Sequence, residues 1–128
     1  MNTKTASILI GVVFIAVGIL GFISNPIVGE SADAMFHADT LHNSVHIGSG
    51  VLFLIVGLFM PASAGTFLKV FGVVYFGLGV LGLINIGTSG MGKLLGILHV
   101  NGADNFLHLA LGLVIFIAGT LKPAQPAT

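Results

Sequence analysis

Residues 41–60 read LHNSVHIGSGVLFLIVGLFM, and residues 103–121 read ADNFLHLALGLVIFIAGTL. Each stretch opens on a polar turn and then runs apolar to its end. Asn43, His46, Gly50 and Gly57 of the first stand in the same order and spacing as Asn105, His108, Gly112 and Gly119 of the second. Each stretch is long enough, at 1.5 Å per helical residue, to cross a hydrocarbon core of about 30 Å. With no water available to the backbone in lipid, a crossing segment of this kind is a helix.

Two more apolar stretches precede these, at 6–24 and 66–86. Their glycines repeat as well, Gly11, Gly18 and Gly21 answering to Gly72, Gly79 and Gly82. His37 corresponds to His99 in the same way, and Asp39 to Asn101. The expected architecture is an all-α integral membrane four-helix bundle forming one domain over 1–128. It is made of two tandem two-helix repeats, about 6–60 and 66–121, with spans at 6–24, 41–60, 66–86 and 103–121. A two-span unit enters and leaves on one side, so the pseudo-symmetry axis is expected along the membrane normal.

Composition agrees with lipid as the solvent. Hydrophobic residues make up 55% of the 128 and charged residues 6%, where a soluble domain carries about a quarter charged. The formal net charge is +0, which leaves no basic surface for nucleic acid. There is no cysteine, so disulfides, thiolate metal sites and cysteine nucleophiles are excluded.

The connectors set the orientation. Lys4, Lys69 and Lys122 fall on one side, with the N-terminus, the Pro-Ala-Ser-Ala-Gly turn at 61–65 and the tail. Glu30, Asp33, Asp39 and Asp104 fall on the other, with Lys93. The positive-inside rule then puts both termini in the cytoplasm of a bacterial plasma (inner) membrane. The first apolar run superficially resembles a signal peptide, but the Ala32-Asp33-Ala34 triplet lies well beyond its end. Segment 88–102 is glycine-rich yet apolar and is expected as a short helix on the membrane surface. The tail from Lys122 to Thr128 is expected to be flexible.

The glycines Gly11, Gly18, Gly21, Gly50, Gly57, Gly72, Gly79, Gly82, Gly112 and Gly119 read as helix-packing positions, since small residues let backbones approach in lipid. Asn43, Asn105, Asp39 and Asn101 read as a structural polar cap at the outer face. The histidines carry the only candidate chemistry. His46 and His108 lie about one turn inside their helices, with His42 and Asp104 four residues before them on the same faces. Three imidazoles and a carboxylate are suitable ligands for a first-row metal. His46 and His108 alone are suited to haem, gripping it from both sides. The plainer reading is interhelical hydrogen bonding that fixes the register of the bundle. His37 and His99 read as solvated loop residues.

Leu41-His-Asn-Ser-Val-His46 with Gly50, the stretch Asn101 to Gly112, and the ending Gly18-Ile-Leu-Gly21-Phe22 resemble the DUF4383 family of bacterial membrane proteins (domain of unknown function). The likeness covers about residues 6–121. It implies a plasma-membrane four-helix protein and transfers no activity. Asp39 departs from the expected Asn, which loosens the two-fold equivalence of the cap.

The leading expectation is a non-enzymatic accessory or scaffolding subunit packing against other membrane protein subunits or against itself, with no cofactor. One alternative is a metal- or haem-binding module at the outer face, and another is a small proton or ion path. No nucleophile–base pair or phosphate-binding motif is present, so catalysis would need a metal.

Overall fold

The computed structural model describes residues 1–126, and the last two residues of the tail lie outside the described part. Four helices dominate: α1 (Thr3–Leu20), α2 (Thr40–Phe59), α3 (Ala64–Asn85) and α4 (Gly102–Ala118). Thr3–Leu20, Thr40–Phe59 and the continuous helical stretch Pro61–Asn85 are long and apolar enough to cross a membrane. The fourth helix is equally apolar but has 17 residues, about 26 Å at the standard rise. Large apolar side chains such as Val12, Val73, Leu113 and Ile117 are exposed on the helix surfaces, as expected where lipid rather than water surrounds the bundle.

The helices pair as α1 with α2 and α3 with α4. Glycines bring the paired backbones together. A methyl group at Gly11 would lie 2.8 Å from the Gly50 carbonyl, and one at Gly72 2.8 Å from the Gly112 carbonyl. The correspondence runs along both pairs. Gly18 meets the Asn43 carbonyl and Gly79 the Asn105 carbonyl, each at 2.8 Å from a methyl there. Gly21 and Gly82 each face an asparagine side chain, Asn43 and Asn105 respectively, that a methyl would overlap. Gly57 packs on α1 near Lys4 and Ile8, and Gly119 on α3 near Gly65 and Lys69. Between the pairs lies an aromatic seam of Phe14, Phe53, Phe71 and Tyr75, with Phe14–Phe53 ring centroids at 5.4 Å and Phe53–Phe71 at 5.0 Å. The Ser7 hydroxyl donates to the Phe53 carbonyl at 2.7 Å and so satisfies itself within the α1–α2 pair.

A 3₁₀ turn, Pro61–Ser63, joins the two pairs. The Thr3 amide donates to the Lys122 carbonyl at 3.0 Å, so both ends of the described chain lie together beside that turn. The opposite end is covered by two loops, and here the structure differs from expectation in three places. Helix α1 stops at Leu20 rather than running to Ser24. Asn25 holds the following turn, its amide donating to the Leu20 and Val28 carbonyls at 2.8 and 2.9 Å. Segment 88–102 is no surface helix but an antiparallel hairpin of β3 (Met91–Leu94) and β4 (Leu98–Asn101). Leu95 and Gly96 adopt left-handed φ of 55° and 74°, which closes the turn and stops a helix from propagating. Leu94, Leu98 and Val100 alternate inward as a strand demands. The other loop contains β1 (Val28–Gly29) paired in parallel with β2 (Phe36–His37). His37 is therefore a buried strand residue at 6% exposure, not a solvated one.

Candidate metal site

The residues that start α2 and α4 place the site. Asp39 caps α2, accepting the His42 amide at 2.9 Å. Asn101 caps α4, accepting the Asp104 amide at 2.9 Å. Asp and Asn serve equally at this position because a short side-chain oxygen meets a free amide of the first turn. The departure of Asp39 from the expected Asn thus leaves the cap intact. With both helices started at corresponding residues, their first two turns present imidazoles towards each other.

His42, His46 and His108 converge. Each offers a ring nitrogen, and these nitrogens all lie within 4.8 Å of one another. Ring centroids are 4.6 Å apart for His42–His46, 5.7 Å for His42–His108 and 6.4 Å for His46–His108. All three residues are buried. His42 Nδ1 is 2.7 Å from the His99 carbonyl. A carbonyl only accepts, so His42 carries its proton on Nδ1 and turns an Nε2 lone pair inward. Both nitrogens of His46 and Nδ1 of His108 are buried without a hydrogen-bond partner among the described residues. Buried polar atoms are normally paired, so three orphaned nitrogens in one cluster set these rings apart from the rest of the core.

Asp104 does not join the trio. Its Oδ2 accepts the Asn101 amide at 2.8 Å and, across the bundle, the His37 amide at 3.0 Å. It completes a capping box with Asn101 and ties the β1–β2 loop to α4. Asn43 and Asn105 are buried beneath Gly21 and Gly82, and Asn105 also donates to the Gly87 carbonyl at 3.0 Å. Their place is against the glycine backbones rather than among the imidazoles.

Several partners were not legible from the sequence. Tyr75 packs edge-on to His108 at 5.9 Å and shares a 3.1 Å hydrogen bond with Ser49. His37 and His99 meet ring to ring, Nε2 to Nδ1 at 3.2 Å. The one signal in the sequence for that pairing was the spacing, since His37 and His99 stand 62 residues apart, as His46 and His108 do. An apolar cavity of about 230 Å³ between α1 and α4, walled by Phe14, Val17, Phe36, Leu107 and Leu111, reaches His46.

The family described as Domain of unknown function (DUF4383) matches residues 4–121, nearly the whole chain, and the chain belongs to that family. No curated protein and no solved structure matches it.

Proposed function

We propose that this DUF4383 protein is a metal-binding membrane module. In this reading it is a bundle of four spans, built from two tandem units in a bacterial plasma membrane with both termini cytoplasmic. Its outer-face trio of His42, His46 and His108 holds one first-row transition-metal ion. The observation that carries the reading is the convergence of three buried imidazole donors within 4.8 Å, two of them bearing unpartnered nitrogens. Burial without partners is costly, and coordination to an ion relieves that cost. Nitrogen donors suit zinc, copper, iron and nickel rather than calcium or magnesium.

The donor set favours a bare ion over haem. A porphyrin disc gripped by His46 and His108 would have to pass through the space where His42 offers its nitrogen. The His99 carbonyl on His42 is the outer hydrogen bond that typically fixes the tautomer of a metal-ligating imidazole. The accessory-subunit reading rests on the absence of a catalytic motif, the short loops and the glycine-rich faces. Gly11, Gly18, Gly50, Gly57, Gly72, Gly79, Gly112 and Gly119 are occupied inside the two helix pairs, so they offer it no support.

The test is metal quantification on protein purified in mild detergent, incubated with zinc and dialysed. The wild type should retain about one equivalent, and a His46→Ala/His108→Ala double variant none. Equal metal content in the two proteins, or a wild type that retains none, would overturn the reading.

A further inference from the structure

All five histidines of the chain lie at one end of the bundle, and the metal reading uses three of them. The other two form a unit of their own. His37 Nε2 and His99 Nδ1 are 3.2 Å apart. Two imidazoles on one tetrahedral ion, with bonds of 2.0–2.1 Å, place their donor atoms about 3.3 Å apart. His37 is 6% exposed and its Nδ1 has no partner among the described residues. The His99 side chain is 35% exposed, and its Nε2 lies 3.9 Å from Asp39 Oδ2. The 3.2 Å contact is itself a hydrogen bond between the two rings, and an ion entering between them takes the place of its single proton, which is released. The pair thus has one face on the aqueous surface and one buried face beside the trio.

The connection to the trio runs through β4. The residue that offers the exposed ring, His99, also supplies the carbonyl that holds His42. The trio itself lies beneath the loops, with His42 and His108 each 2% exposed, so an ion bound there has shed most of its water.

We propose that His37 and His99 form a second, outer cation site, binding a transition-metal ion more weakly and passing it inward to His42, His46 and His108. The inference rests on the metal reading of the trio. Asp39 serves both sites, through Oδ1 as the cap of α2 and through Oδ2 as the charge beside His99.

The experiment is a Co²⁺ titration and stopped-flow loading of the full chain in detergent micelles, followed by visible absorption. The wild type should bind one tight and one weak equivalent. His99→Ala removes only a partly exposed ring and keeps the backbone carbonyl. It should lose the weak equivalent and fill the tight one about tenfold more slowly or worse, with an unchanged final amount. His37→Ala should do the same. The His46→Ala/His108→Ala protein should lose the tight equivalent and keep the weak one. A wild type with a single equivalent that fills equally fast in His99→Ala overturns the outer site and leaves the trio standing. A wild type with no tight equivalent refutes the trio, and the loading role with it.

Discussion

Replacing Gly112 by alanine tests the glycine-mediated packing that brings α4, and with it His108, against its neighbours. A methyl at Gly112 would sit 2.6 Å from Phe76 Cα and 2.7 Å from the Gly72 carbonyl oxygen. Both obstacles are backbone, so no side chain can swing aside, and α3 and α4 must part by several tenths of an ångström. Overpacking of this kind costs about 1–3 kcal/mol, against a gain of up to about 1 kcal/mol from the helix propensity of alanine. The expected net loss is on the order of 1–2 kcal/mol. Gly77→Ala is the internal control. It lies in α3, and its added methyl meets nothing within 4 Å, so only the propensity acts and stability should hold or rise slightly. The assay is reversible unfolding by SDS in mixed micelles, followed by far-ultraviolet circular dichroism. Gly112→Ala should unfold at a clearly lower SDS fraction than Gly77→Ala. Identical midpoints would refute the claim that these backbones touch.

Three further outcomes are expected. Zinc should raise the thermal midpoint of the wild type in a concentration-dependent way, by about 2.7 kcal/mol of stability at a hundredfold excess over the Kd of the trio, and a melt of His46→Ala at the same zinc concentration should rise far less. Asp104→Ala removes the acceptor of two amides at 2.8 and 3.0 Å; it should lose about 1–3 kcal/mol yet keep its zinc stoichiometry after dialysis, which loss of a ligand would not allow. Acidification should release the ion, because a ligating imidazole must be unprotonated and protons compete for the same lone pair; retention measured across a pH series should fall as pH falls, and a flat profile would argue against imidazole ligands.

The helices were legible because an apolar run of about 20 residues has one stable backbone in lipid. Their ends were less so. Leu20 ends α1 because Asn25 captures the next turn, a contact set by tertiary folding rather than by hydropathy. The hairpin at 91–101 was hidden by its composition, since leucines spaced by glycine fit either a surface helix or a short strand. The left-handed turn at Leu95 and Gly96 decided between them. The meeting of His46 with His108 was open in the sequence, because it depends on how α2 and α4 are placed, which hydropathy does not decide. The spacing of Asp104 from His108 puts the two on one helix face. At the third helical position, however, a carboxylate turns back to the cap, and Asn101 three residues earlier was the visible sign of it. The burial of His37 depends on a two-residue strand pair that no periodicity reveals.

The most direct test of the central claim is X-ray absorption at the zinc edge on zinc-loaded wild-type protein. The account expects a shell containing three imidazole nitrogens at about 2.0–2.1 Å, with the outer-shell scattering that marks histidine rings. Zinc lost on dialysis, or bound zinc with an oxygen-only shell, would contradict it.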